Sequence, residues 1–265
     1  MAGGLAELFA TTRAEGRAAL IGFLTAGCPT VEGSKRALAT MVESGCDVVE
    51  IGMPFSDPVM EGPTIQASSE RSLRGGFRLR DLFGVVESVA AAGGRPLVMT
   101  YWNPVYHYGV DVFARDLAAA GGLGVITPDL IPDEADEWLA ASAAHGLDRI
   151  FLLAPSSTEE RIASTAAVTS GFVYAASLMG VTGARDTVSS AAAPLVQRIR
   201  AHTDLPIAVG LGVRSGAQAA ELASVADGVI VGSAFVAKAD EGTEALAALT
   251  AELAEGVRHP LAATA

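Results

Sequence analysis

The sequence predicts a single-domain (β/α)8 (TIM) barrel over residues 1–265, with an extra helix ahead of the first strand. Three observations carry that expectation. Eight short apolar segments alternate with helical segments at the spacing that parallel crossovers need. The chain has 265 residues, the size of eight βα units in one closed barrel. A doubly wound open sheet, the structural alternative, usually carries G-x-G-x-x-G after its first strand, and Gly22 to Gly27 does not supply it.

In chain order, Leu5-Ala6-Glu7-Leu8-Phe9 has helical spacing and forms the extra helix. Residues 18–26 (AALIGFLTA) read as the first buried strand, and Thr30 is placed to cap a helix from about 31 to 44. The second strand starts at Val48 and runs into a loop rich in Pro and Gly. Helices are expected at 64–73 and 79–92, a strand at 95–102 (RPLVMTYW) and a helix at 110–120. Strand four is placed at 122–128, followed by a helix at 132–144 with Pro132 in its first turn. Strands at 148–154, 171–177, 206–211 and 228–231 complete the set, with helices at 158–168, 190–202, 215–223 and beyond Ser233 to about 257. No linker or low-complexity segment divides the chain.

In such a barrel the chemistry collects at the C-terminal ends of the strands. Glu50 interrupts the apolar run of strand two, and a buried carboxylate without a partner costs several kcal/mol, roughly, unless it is protonated. Desolvation of this kind raises a carboxyl pKa and suits a proton donor or acceptor near neutral pH. Gly52, two residues on and on the same face, reads as leaving space for a ligand. The loop beyond adds Asp57, read as a turn residue beside Ser56 and Pro58, and Glu61. Strand three ends at Tyr101 and Asn103, strand four at Asp129, and strand six contributes Tyr174. His107 reads as loop surface.

Phosphate is the anion these ends suit. Gly210 and Gly212 after strand seven allow close backbone approach. Gly232 and Ser233 after strand eight open a helix whose first N–H groups attract negative charge, and Gly183 supplies a third loop. Lys35 and Lys238 are the only lysines and both fall in or near helices. A Schiff-base aldolase needs a lysine inside the site, so carbon–carbon chemistry here is expected to be general acid/base. No cluster of His and carboxylates suggests a metal.

The formal charge of −12 argues against nucleic acid and anionic membrane surfaces as partners. Two cysteines without a CxxC pair indicate a reducing compartment. The first cation is Arg13 and no apolar run reaches the length of a membrane span, so a cytoplasmic protein is expected.

The run Glu50-Ile51-Gly52-Met53-Pro54-Phe55-Ser56-Asp57-Pro58-Val59-Met60-Glu61-Gly62-Pro63-Thr64-Ile65-Gln66 closely resembles the signature of the tryptophan synthase alpha chain family. Phe23 to Gly27, Tyr101 to Pro104, Pro128 to Glu134 and Gly180-Val181-Thr182-Gly183 resemble its other strand ends, so the likeness covers nearly the whole chain.

The resemblance implies a lyase that splits indole-3-glycerol phosphate into indole and glyceraldehyde 3-phosphate. It implies Glu50 as the acid/base at the indole ring carbon and the glycerol hydroxyl, with Glu61 assisting at the indole N–H. Phe23, Met99, Leu153 and Tyr174 would line the indole pocket, with Tyr101 nearby. Gly183, Leu211, Gly212, Gly232 and Ser233 would hold the phosphate, and Thr182 would belong to the strand-six lid. It implies no cofactor in this chain. Pyridoxal phosphate is expected only in a partner beta chain, docked in an α2β2 heterotetramer near Asp129 to Pro132. Two departures stand out: the family usually has Asp where this chain has Glu61, and Leu178 replaces an arginine of many members. A stand-alone indole-releasing lyase, or a weak paralogue that activates a partner, are the alternatives.

Overall fold

The structure is a computed structural model and describes residues 3–176, 188–210 and 212–261. Eight parallel strands close into a barrel in sequence order. They are β1 (Ala19–Thr25), β2 (Val48–Gly52), β3 (Pro96–Met99), β4 (Gly124–Thr127), β5 (Asp148–Leu153), β6 (Val173–Ala176), β7 (Ile207–Gly210) and β8 (Gly228–Val231). Around and below them lie α1 (Leu5–Ala14), α2 (Val31–Glu43), α3 (Pro63–Arg74), α4 (Leu79–Ala91), α5 (Trp102–Tyr108) and α6 (Val110–Ala119). After β4 come α7 (Asp136–His145), α8 (Glu159–Val168), α9 (Val188–Arg200), α10 (Gly216–Ala223), α11 (Ser233–Glu241) and α12 (Thr243–Arg258). No helix among the described residues is long and apolar enough to cross a membrane.

Strand side chains alternate between two cores, as the period of two requires. One core fills the barrel: Ala19, Ile21, Val48, Leu97, Ile126, Ile150, Ala208 and Ile230 belong to it. The other lies between barrel and helices and takes the intervening residues, such as Leu20, Val49, Val98, Phe151, Val173 and Val229. Helix α1 plugs the N-terminal end: Leu5, Leu8 and Phe9 join the barrel core, and the Phe9 and Phe172 rings stand 5.7 Å apart. With that end plugged, the cavity lies at the C-terminal ends of the strands.

Local chemistry sets the element ends. The Thr30 hydroxyl accepts from the Gly33 N–H at 3.0 Å, the predicted cap of α2. β3 stops at Met99 instead of running to Trp102, because residues 102–108 form α5. The Asp129 carboxylate accepts the Trp102 N–H at 2.9 and 3.2 Å, and Pro104 sits in a first turn that needs no further donor. His107 is therefore on a helix, its Nδ1 3.0 Å from the Asn103 carbonyl, and not in a loop. The helix expected at 132–144 is split into a single 3-10 turn, Pro132–Glu134, and then α7.

Candidate functional site

A cavity of about 580 Å³ occupies the open end of the barrel. Its floor and walls come from inward strand positions: Phe23 on β1, Glu50 on β2, Met99 on β3, Leu152 on β5, Tyr174 and Ala176 on β6, Gly210 on β7 and Ile230 on β8. The loop between β2 and α3 adds Val59 to Ile65, including Glu61, and the β7 and β8 ends add Gly212, Arg214, Gly232 and Ser233.

Glu50 stands between Phe23 and Leu97 in the strand register, flanked by hydrocarbon on both sides. It is 1% exposed, and its Oε1 has no hydrogen-bond partner. Burial alone pushes its carboxyl up to about 8, so at neutral pH the acid form predominates and can donate a proton. Across the barrel, desolvation raises the Tyr174 phenol well above its ordinary value, and the Glu50 charge adds to that. Tyr174 therefore stays a neutral apolar wall with a hydroxyl.

Glu61 comes from the loop and stands apart from the strand carboxylate. Desolvation raises its pKa, opposed by the Ser69 hydroxyl, which donates to Oε2 at 3.4 Å. The Gln66 side-chain amide donates to the Glu61 carbonyl at 2.7 Å and ties the loop to the start of α3. Tyr101 does not line the cavity. Its hydroxyl accepts the N–H groups of Val59 and Met60 at 3.0 and 3.1 Å, and its ring packs 5.0 Å from Phe55. Tyr101 thus holds the loop that carries Glu61.

The expectations for Leu153, Gly52, Gly210 and Asp129 change, whereas that for Asp57 holds. Leu153 faces outward into the core between barrel and helices; the cavity position on β5 is Leu152, which shares the parity of Ile150. The space left by Gly52 is filled by protein: a Cβ there would lie 2.3 Å from Phe23 Cζ. Gly210 similarly makes room for Tyr174, whose hydroxyl would stand 2.8 Å from an added Cβ. Asp57 accepts from the Ser56 hydroxyl at 2.6 Å, a contact within the loop. Asp129 is occupied by the cap on α5.

The strand seven and eight ends leave backbone open to the cavity. Gly212 has φ of 68°, a conformation that favours glycine. A Cβ on Gly232 would make only ordinary contacts, 3.5 Å to Ile65 and 3.8 Å to Phe23. Packing does not demand that glycine; its bare backbone borders the cavity. Among the described residues no side chain caps α11, which leaves its first N–H groups open toward the cavity. Thr182, Gly183, Leu178 and Leu211 lie outside the described residues. Lys35 and Lys238 pair with Glu32 and Glu241 on outer helices, away from the cavity.

The site residues missed in the sequence are Leu152, Ile65 and Arg214. Strand parity counted from Ile150 selects Leu152 over Leu153, and Arg214 stands two residues beyond Gly212.

Comparison with known proteins agrees with this geometry. Residues 9–264 match the family model described as tryptophan synthase alpha chain. The tryptophan synthase alpha chain of Nocardia farcinica is 67% identical over 260 residues, covering 98% of each chain. A chain of Mycobacterium tuberculosis tryptophan synthase superposes with a TM-score of 0.92 at 62% identity, covering 97% of this chain and 99% of that one. The tryptophan synthase subunit alpha of Legionella pneumophila superposes with a TM-score of 0.86 at 31% identity, over 96% and 97% of the two chains. The chain belongs to the tryptophan synthase alpha chain family.

Proposed function

We propose that this protein, by its family a lyase of tryptophan biosynthesis, cleaves indole-3-glycerol phosphate with Glu50 and Glu61 as its two proton-transfer groups. The observation that carries the assignment of Glu50 is its carboxyl, buried on an inward strand position with Oε1 unpartnered and held largely in the acid form. Protonated Glu50 delivers its proton to C3 of the indole ring while Glu61 takes the ring N–H proton, giving the indolenine. The Glu50 carboxylate then accepts the proton of the glycerol hydroxyl next to the ring. The bond from C3 to that carbon breaks, its electron pair returns to the ring, and Glu61 gives its proton back to nitrogen. Indole and glyceraldehyde 3-phosphate leave, and both carboxyl groups regain their starting states.

Phe23, Met99, Leu152 and Tyr174 provide the apolar walls that suit an indole ring. Gly212, Gly232 and Ser233 suit the phosphate, joined by Gly183 and Leu211 in the same reading, with Thr182 in the strand-six lid. This chain needs no cofactor for these steps. Pyridoxal phosphate belongs to the beta chain, and a cytoplasmic α2β2 assembly is the expected setting. The exposed apolar residues on the open side of the barrel suit that docking: Val59 is 76% exposed, Tyr106 64%, Met60 47% and Ile131 40%. Each stands on the loop carrying Glu61, on α5, or in the segment after β4, so a docked partner would touch the elements that position the site.

The test is indole release from indole-3-glycerol phosphate by the purified chain, titrated with a beta chain. Turnover that rises with the beta chain supports this reading. Strong turnover with neither stimulation nor binding would favour the stand-alone lyase.

A further inference from the structure

The cavity carries two carboxylates, Glu50 and Glu61, and among the described residues lining it Arg214 is the sole cation. Arg214 follows the positive-φ turn at Gly212 by two residues, on the side of the cavity formed by Gly212, Gly232 and Ser233. Its backbone is pinned. Ser215 caps α10 by accepting the Gln218 N–H, and the Gln218 side chain reaches back to accept the Arg214 N–H at 2.8 Å. Val213 beside it is buried at 1% exposure, anchoring the turn from below. The guanidinium is exposed at the cavity and forms no ion pair among the described residues.

A pinned base with an unpaired guanidinium at a cavity wall is an arrangement for meeting an anion. The cavity needs such a charge. A phosphate dianion entering the barrel approaches Glu61 and the rest of a chain with formal charge −12. The free N–H groups of α11 present only about half an elementary positive charge. A guanidinium adds a full charge and a fork of donors matched to phosphate oxygens.

We infer that Arg214 is a ligand of the substrate's phosphate, and that it selects the phosphorylated substrate over its uncharged analogue. The inference rests on the phosphate reading given above and adds to it a charged side chain where only uncharged groups had been assigned.

The experiment compares the full-length wild type with Arg214→Gln and Arg214→Lys. It measures kcat and KM for indole-3-glycerol phosphate, inhibition by glycerol 3-phosphate from low to high salt, and inhibition by indole. An exposed guanidinium–phosphate contact predicts that Arg214→Gln raises KM and the glycerol 3-phosphate inhibition constant about tenfold at low salt. The penalty shrinks as salt rises, kcat falls less than KM rises, indole inhibition stays as in the wild type, and lysine restores part of the loss. Unchanged glycerol 3-phosphate inhibition in Arg214→Gln would overturn the inference while leaving the function intact. So would an equal loss of indole binding, which would mark Arg214 as a structural support of the cavity. A wild type that neither turns over indole-3-glycerol phosphate nor binds glycerol 3-phosphate would instead overturn the function reading itself.

Discussion

Phe23 and Gly52 form one interlocked pair on adjacent strands: the Phe23 ring occupies the space a Gly52 side chain would need, with an added Cβ 2.3 Å from Cζ. The ring so placed forms the wall next to Glu50, its partner in the β1–β2 register. Gly52→Ala is expected to push that ring into the cavity, at about 1–3 kcal/mol in stability from overpacking. Denaturant unfolding, together with indole inhibition, checks this. Weaker indole binding with reduced stability is the expected result, and a variant matching the wild type in both would contradict the interlock.

The raised carboxyl of Glu50 makes both activity and stability depend on pH. For activity, Glu61 must be ionised and Glu50 protonated in the free enzyme. The profile of kcat/KM is therefore expected to be bell-shaped, with a rising limb from Glu61 above the ordinary Glu range and a falling limb near pH 8 from Glu50. For stability, the folded protein binds the Glu50 proton more tightly than the unfolded chain. Its contribution is full below about pH 4.5 and is lost as pH rises toward 8, a decline on the order of a few kcal/mol at most. Glu50→Gln should remove that decline, so the variant gains stability relative to wild type at pH 8 and not at pH 4.5. Equal pH dependence of unfolding in the two proteins would contradict the burial of an ionisable Glu50.

Tyr101 reaches the site through the loop. Its hydroxyl accepts two backbone N–H groups, from Val59 and Met60. Tyr101→Phe leaves both donors to water, which costs about 1 kcal/mol and loosens the position of Glu61. Displacements near one ångström in a catalytic group cost on the order of a hundredfold in rate at most. A fall in kcat with glycerol 3-phosphate inhibition preserved is the expected pattern in steady-state kinetics; unchanged kcat would remove the positioning role.

Glu61 stands where the resemblance to the family implies an aspartate. Among the described residues its carboxylate receives one hydrogen bond, 3.4 Å from Ser69 to Oε2, so those residues hold the longer side chain loosely. Glu61→Asp is expected to keep or raise kcat, because it retains the carboxylate with one rotor fewer, whereas Glu61→Gln removes the proton acceptor and lowers kcat by about 10²–10⁴-fold. A large loss in Glu61→Asp, measured by indole release, would show that the pocket is built around the longer side chain.

Much of this was legible in the sequence, and the exceptions have physical causes. Glu50 stood out because a carboxylate in an apolar parallel strand is expensive, and it is buried on an inward strand position. Leu153 was misplaced by one residue, which in a strand exchanges the barrel interior for its exterior; counting parity from Ile150 corrects it. Gly52 looked like room for ligand and Gly210 like backbone open to an anion, since a sequence does not show which neighbour fills a missing side chain. Here those neighbours are Phe23 and Tyr174. Helix α5 was hidden because its N-terminal cap, Asp129, comes from a different strand end, 27 residues on. The same long-range bond removed Asp129 from the candidate chemistry.

The most direct test of the account is the turnover of indole-3-glycerol phosphate by Glu50→Gln with a beta chain present, measured beside its affinity for glycerol 3-phosphate. Glutamine keeps the shape and cannot transfer the proton. The account predicts that kcat is lost to background while glycerol 3-phosphate binds as in the wild type. Turnover within tenfold of the wild type would contradict proton transfer by Glu50.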